Sequence, residues 1–314
     1  MEQVLVKKKA PEVEDIVGIN QVSFKERIAS YKKHPGSFVL LLCVCLAMLL
    51  TIASLGYLIL YIVIKGVPYL TPSLFAWEYT SDNVSMLPSL INTVLMTLLS
   101  LLIAVPIGIF SAIYLAEYAK KGNKIVGIVR VTAETLTGIP SIVYGLFGML
   151  FFVTACKWRL SLLLGAFTLA IMVLPVIMRT TEEALMSVPD SYRQGSLGLG
   201  AGKLRTVFRV VLPSAIPGIL SGVVLAIGRI VGETAALIYT AGSVAKIPQF
   251  SNGAKFLFDS TRTLSVHMYN LSKEGLHTNQ AYATAVVLMI VVMCMNFLSD
   301  LLANKLAKKS GGEK

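Results

Sequence analysis

Charge is scarce in this chain. Asp, Glu, Lys and Arg together make up 14% of its residues, where a soluble domain carries about 25%. With 55% hydrophobic residues and a mean hydropathy of +0.73, a single soluble domain is excluded. So are disordered, collagen-like and coiled-coil chains, whose compositions are polar, Gly-periodic or rich in charge. Histidine and cysteine are scarce too, with three and four copies. Cys43, Cys45, Cys156 and Cys294 all lie in apolar stretches, and no Cys/His pair has zinc-like spacing. They are expected to be reduced, buried thiols acting as small apolar groups. His267 and His277 read as surface residues without a role. No Ser/His, paired-Asp or His-Glu-x-x-His arrangement lies in the apolar runs, which argues against an intramembrane enzyme. A nucleotide site is missing as well. Gly202-Lys203 resembles the end of a phosphate-binding loop, but the residue five before Gly202 is Leu197, and Leu204 stands where Ser or Thr is required.

What is present is a set of six long apolar runs, at 37–64, 87–116, 131–156, 160–178, 214–241 and 281–303. A bilayer core of about 30 Å is crossed by roughly 20 apolar residues in a helix. The fold class is therefore all-α, a polytopic membrane protein with six transmembrane helices. The first run follows 36 polar residues and has no short apolar core with a cleavage site, so it reads as a span and not a signal peptide. Lys and Arg outnumber Asp and Glu by 28 to 17. Their distribution accounts for the excess: alternate segments starting with the tail 1–36 hold 20, the others hold 7, and Arg229 lies within a run. This bias places both termini in the cytoplasm and removes the case for nucleic acid. The organisation expected is a cytoplasmic tail 1–36, a six-span domain 37–305 and a short cytoplasmic tail 306–314. Phe24, Ile28 and Tyr31 at helical spacing beside Lys25, Arg27, Lys32 and Lys33 suggest an interfacial helix in the first tail. The outer loop 242–280 is long enough to hold short helices.

Two features point to function. The first is the cytoplasmic segment 179–213, too long for a turn between spans. Thr180 to Met186 reads as an acidic helix; Val188-Pro189 punctuates it, and Asp190 or Ser191 is a fair N-cap for a new helix. Gly195, Gly198, Gly200 and Gly202 make a bend, and Lys203 to Val211 reads as a second short helix. Such a rigid protrusion suits transmission of force between a soluble partner and the membrane helices; the bland alternative is an ordinary amphipathic loop. The second feature lies within the spans. Arg229 and Glu233 are four apart in the fifth run and would share one helix face with Gly218 and Gly222. Each ionisable group there costs about 2.5–3.5 kcal/mol on insertion, so such residues mark pathways; mutual neutralisation is the competing reading. In the third run, Pro140 has no N–H and disfavours helix at Ile139. Either a simple kink results, or a break whose second half-helix turns its N-terminus inward, favourable for an anion.

These residues carry a family resemblance. The segment 179–213 resembles the coupling loop of binding-protein-dependent ABC importer permeases, in which Glu-Ala-Ala is followed by Gly and then by Leu-Pro at fixed spacing. Here Gln194, Gly195 and Ser196 stand at the triplet, departing from the consensus, while Gly200, Leu212 and Pro213 fit the spacing. The stretches Gly138-Ile139-Pro140-Ser141 with Tyr144-Gly145, and Arg229 through Ala235 with its Gly-Glu-Thr-Ala run, look like signatures of phosphate importer permeases. The element order, the short turn 157–159 and Tyr269-Asn270-Leu271 are most similar to the PstA type. The resemblance implies an ABC importer permease fold in the bacterial inner membrane. It implies a PstC-type permease partner, two ATP-binding subunits of PstB type and an external phosphate-binding protein of PstS type. ATP and magnesium would belong to those partners, with no cofactor on this chain. It implies transport by alternating access, with Arg229, Glu233, Arg179, Thr137, Ser141 and Thr234 along the substrate path. Glu233 has two readings: acceptor of a phosphate P–OH, which fully ionised sulfate cannot offer, or partner of Arg229 in one transport state. Arg179 matches a basic position of the family, but positive-inside topology with pairing to Glu182 or Glu183 also accounts for it. Permeases for sulfate or molybdate are the nearest alternatives; a secondary anion transporter would show internal repeats, and none is evident.

Overall fold

The computed structural model describes residues 35–120 and 122–310. The expected interfacial helix around Phe24 lies outside them. The described residues are helical, without strands. In chain order the helices are α1 (Pro35–Gly66), α2 (Leu87–Ile113), α3 (Lys124–Thr137), α4 (Ser141–Gly148), α5 (Leu162–Met186), α6 (Asp190–Gly198), α7 (Lys203–Thr206), α8 (Leu212–Val231), α9 (Ala235–Thr240), α10 (Leu264–Glu274) and α11 (Thr278–Ser310). Wider π-type turns extend α2 over Tyr114–Tyr118 and α4 over Met149–Ala155, and join α7 to α8 over Val207–Val211.

By packing the chain divides into two units, the first ending at Leu60 and the second starting at Tyr61. The first unit holds most of α1. Its few hydroxyls are turned back on the helix: Thr51 donates to the Ala47 carbonyl at 2.9 Å and Ser54 to that of Thr51 at 3.0 Å. These two hydroxyls are then not left bare in lipid.

In the second unit α5 is the central helix. Leu162, Leu164, Leu169, Met172, Val173, Ile177 and Leu185 along it are buried. Lipid is as apolar as leucine, so helices in a membrane associate through close packing rather than exclusion from water. Glycines supply the closeness. A Cβ on Gly108 of α2 would stand 2.8 Å from Ile177, and one on Gly218 of α8 would stand 2.6 Å from Ala184. The small-residue face expected at Gly218 and Gly222 is thus the α8 surface that lies on α5. Three buried hydroxyls on α2 are satisfied within the helix: Thr93, Thr97 and Ser100 donate to carbonyls one turn earlier at 2.7–2.8 Å.

Five helices are long and apolar enough to cross a membrane, and a bent pair makes the sixth. Several expectations are corrected. The third run starts earlier than 131, because α3 begins at Lys124; of the two readings at Pro140 the break holds, and α3 and α4 meet at 103°. The fifth run is not continuous to 241, because α8 stops at Val231. Residues 180–186 form no separate helix but are the last turns of α5. At α6 the N-cap is Pro189, with Asp190 the first helical residue. All four cysteines are exposed on the chain's surface; hydropathy does not distinguish a lipid-facing from a core-facing position. The outer loop does hold helices, a 3-10 stretch at Phe250–Phe258 and α10.

His267 on α10 is fully buried and not a surface residue. Its Nδ1 lies 3.3 Å from an Arg262 guanidinium nitrogen, and its ring meets Tyr79 edge-on at 6.0 Å. Arginine can only donate, so Nδ1 is the acceptor and the ring is neutral. Burial first, and the Arg262 charge second, lower its pKa from 6.5 to about 4, against an opposing effect of the Val84 backbone. Between those values the unfolded chain binds the proton and the folded chain does not. The stability is therefore whole above pH 6.5 and is lost as pH falls towards 4, by at most about 3 kcal/mol. Thermal unfolding of the detergent-solubilised chain should show a midpoint that drops between pH 7 and pH 4.5, and His267→Gln should flatten that part of the profile.

Candidate functional site: two broken helices and a cytoplasmic loop

The first break follows from Pro140. With no N–H at Pro140 and helix disfavoured at Ile139, α3 ends at Thr137 and is capped by Gly138. The Tyr144 hydroxyl reaches back from α4 and donates to the Leu136 carbonyl at 2.7 Å, satisfying an acceptor that the break releases. The Thr137 hydroxyl is spent on the Glu134 carbonyl at 2.6 Å. Ser141 opens α4, and Thr137 and Ser141 are both half-buried. The amide groups of an opening turn have no partner within their own helix, and this is where an anion is favoured.

The second break is at Gly232. Helix α8 closes there, and α9 starts three residues on. Glu233 is buried, and its carboxylate accepts the Ala236 N–H at 3.0 Å, capping α9. Its carbonyl accepts the Ser265 hydroxyl of α10 at 2.6 Å. Glu233 therefore does not continue the helix face that carries Arg229; the expected i to i+4 relation fails because the helix ends between them. Among the described residues no ion pair joins the two. Arg229 sits half-buried in the last turn of α8, where the helix dipole favours a cation. Thr234 follows Glu233, half-buried, with a long contact of 3.5 Å to the Gly232 carbonyl.

The two breaks are held together. A Cβ on Gly145 would stand 2.7 Å from the Ala236 Cα and 2.8 Å from its carbonyl oxygen, so α4 and α9 touch backbone to backbone. Glu233, bonded to the Ala236 N–H, is thereby set beside α4, with Thr234 next in sequence and Arg229 in the last turn of α8. Arg179 has other partners. It is exposed, pairs with Glu183 at 3.0 Å and Glu134 at 3.3 Å, and ties α5 to α3. Glu182 pairs instead with Arg130, whose Nε donates at 2.8 Å.

The loop 179–213 forms a compact turn. Gln194, Gly195 and Ser196 lie in α6. Gly200 has φ +83°, and around it Gly200 N–H bonds to Leu197 and Ala201 N–H to Ser196, at 2.9 and 3.1 Å. This is a Schellman closure, in which the left-handed residue is usually glycine. The Ser196 and Thr206 hydroxyls meet at 2.9 Å and join α6 to α7. Leu199 at the tip is 91% exposed, and Leu212-Pro213 opens α8. Among the described residues no group of three or more His, Cys, Asp or Glu is placed to hold a metal ion.

Comparison with known proteins identifies the family and the fold. The profile of the family described as binding-protein-dependent transport system inner membrane component matches residues 104–310. The probable ABC transporter permease protein YqgI of Bacillus subtilis is 34% identical over 264 residues, 79% of this chain and 88% of that protein. The phosphate transport system permease protein PstA of Haemophilus influenzae is 30% identical over 249 residues, 79% of this chain and 86% of its own length. A chain of the bacterial alginate ABC transporter aligns over 88% of this chain and 98% of its own, with a TM-score of 0.60 and 13% identity. A chain of the inward-facing MetNI methionine ABC transporter aligns over 70% and 94%, with a TM-score of 0.53 and 20% identity. At such identities the structural likeness concerns the fold.

The contact between α4 and α9 is open to direct test. At Gly145 the obstructing atoms are backbone, which cannot turn aside, so Gly145→Val should cost about 1–3 kcal/mol or more. Thermal unfolding in detergent should show a clearly lowered midpoint. An unchanged midpoint would contradict the close approach.

Proposed function

Since the chain belongs to the family of binding-protein-dependent inner-membrane transport components and is an ABC importer permease subunit, we propose that its cargo is inorganic phosphate. Permeases of this kind work with a second permease, ATPase subunits and a binding protein, and are not themselves enzymes. In the proposed complex the second permease is of PstC type, the two ATP-binding subunits of PstB type and the binding protein of PstS type, with both termini of this chain cytoplasmic. The name of the Bacillus subtilis relative specifies no substrate. Support for phosphate comes from the relatives named as phosphate permeases and from one observation in the structure. That observation is Arg229, a cation without an ion pair among the described residues, set where two broken helices meet.

Phosphate is a tetrahedral anion, and a guanidinium offers it two parallel N–H donors. The start of α4 adds backbone N–H groups of the same sign, and Ser141, Thr137 and Thr234 stand beside it as neutral polar groups. Glu233 holds α9 in place through its cap, and its negative charge favours an anion that still carries a proton. Sulfate, fully ionised, meets repulsion there. Arg179, at the cytoplasmic end of α5, is proposed to meet the anion late in its passage, when its bonds to Glu134 and Glu183 part. The loop carrying Gln194, Gly195, Ser196 and Gly200 is the proposed docking element for the ATPase, continuous with the fifth span through Leu212 and Pro213. ATP binding in the partners would move this loop and switch the permease pair between outward and inward access.

Two substitutions test the reading in vesicles holding the assembled importer. Arg229→Gln keeps length and loses charge; ATP-dependent phosphate uptake should fall at least about 100-fold with membrane insertion unchanged, as for loss of a charge-assisted bidentate contact. Near-normal uptake would remove Arg229 from the path. Glu233→Gln keeps an oxygen to accept the Ala236 N–H, so the cap survives and only the charge is lost. Competition uptake should then show sulfate entering beside phosphate. Unchanged exclusion of sulfate would leave Glu233 with its capping role alone.

A further inference from the structure

Arg193 stands one residue before the Gln194-Gly195-Ser196 stretch, and all five of its guanidinium N–H groups are engaged. Nε and one terminal nitrogen both donate to Glu117, at 3.0 and 2.7 Å. The same terminal nitrogen reaches the Leu185 carbonyl at 2.7 Å. The other donates to the Val188 carbonyl at 2.6 Å and to Asp190 at 3.2 Å. Glu117 is only 8% exposed and Arg193 20%, whereas Asp190 is open to solvent. Arg193 thus gathers three elements onto one planar group: α6 itself, the C-terminal end of α5, and the wide turn that closes α2.

That wide turn holds both arms of the loop. Glu117 grips α6 through Arg193, and the next residue, Tyr118, lies under the Lys203 ammonium of α7 at 4.9 Å. Neither α5 nor α8 needs such a joint to follow the loop, because each continues into it through the chain. Helix α2 has no covalent link to the loop. Its sequence neighbours lie far away, and Arg193 and Glu117 are 76 residues apart.

We infer that the Glu117–Arg193 pair is the joint through which movement of the cytoplasmic loop reaches α2, and that Arg193 is a positioning residue for transport. The inference rests on the reading of the loop as the ATPase docking element. Two N–H groups converge on one Glu117 oxygen, two carbonyls and Asp190 take the remaining donors, and a charge-assisted pair so fixed resists shear in a way that a single bond cannot. Displacement of α6 by the ATPase therefore carries the end of α2 with it. With the pair cut, the loop can still seat in the ATPase but moves without α2.

The test uses the complete importer, with its second permease, ATPase subunits and binding protein, reconstituted in vesicles. Three quantities are read for each variant: ATPase subunit recovered with the permease, ATP hydrolysed, and phosphate taken up. Arg193→Met should keep subunit recovery and ATP hydrolysis and lower uptake per ATP by about tenfold. Arg193→Lys, with three donors, should fall between it and the wild type. Should Arg193→Met fail to reach the membrane, Glu117→Gln is read in the same way, since it keeps size and one acceptor oxygen and removes the charge. An unchanged ratio of uptake to hydrolysis overturns the joint. So does loss of the ATPase subunit from a properly inserted variant, which would make Arg193 part of the docking surface. Leu199→Asp at the exposed tip tests the underlying reading separately: full ATPase recovery there would mean that the loop is not the docking element, whatever Arg193 does.

Discussion

Backbone hydrogen bonding is the constraint on which the structure depends. In lipid there is no water to meet a free N–H or C=O, and each one left bare costs several kcal/mol. A chain of this composition must be helical in the membrane, and a break in a helix survives only where protein groups take over the released bonds. Both breaks here meet that demand with named side chains. Tyr144 donates to the Leu136 carbonyl, Glu233 accepts from Ala236, and Ser265 donates to the Glu233 carbonyl. What the first break provides in return is a change of direction, 103° between α3 and α4. Polar groups of the proposed path are therefore supports of the fold as well. Removing the Tyr144 hydroxyl or the Glu233 acceptor oxygen would disturb the bend that each one closes.

The same pattern of support recurs in the loop between α5 and α8. Gly200 takes the left-handed conformation that closes α6, Ser196 and Thr206 tie the two arms, and Arg193 fills every donor it has. The loop is held from α5, α8 and α2 together. A protrusion so braced suits a part that passes on displacement, while the exposed Leu199 at its tip suits contact with another protein. At the outer end, Ser265 links α10 to the second break, so the outer loop and the proposed anion site share a hydrogen bond.

Much of this was legible in the residues. Six apolar runs can be counted because a bilayer fixes the length of a span. The break at Pro140 is written in a residue without an N–H, and Gly200 at its spacing before Leu212-Pro213 marks a turn. The break at Gly232 was not legible. Gly-Glu-Thr continues a helical pattern well enough that Arg229 and Glu233 read as neighbours on one face; the turn after α8 is held by Ser265 of α10 on the Glu233 carbonyl and by α4 packing on α9. His267 was read as a surface residue because a lone histidine has no spacing to read; it is buried, with Arg262 five residues before it and Tyr79 from a distant segment against its ring. The cysteines were misplaced because an apolar residue satisfies lipid as readily as a core. Glu117 and Arg193 meet through tertiary structure alone, with no local pattern to announce them.

The central claim is that two broken helices meeting at Arg229 form half of a path for phosphate driven by ATP. The most direct measurement is transport by the wild-type importer, purified with its partner permease, ATPase subunits and binding protein and reconstituted in sealed vesicles. Radiolabelled phosphate, sulfate and molybdate are each offered with and without ATP on the ATPase side. The account predicts ATP-dependent accumulation of phosphate, with sulfate and molybdate excluded even in excess. Accumulation of another oxyanion in its place, or transport of phosphate indifferent to ATP, would contradict it.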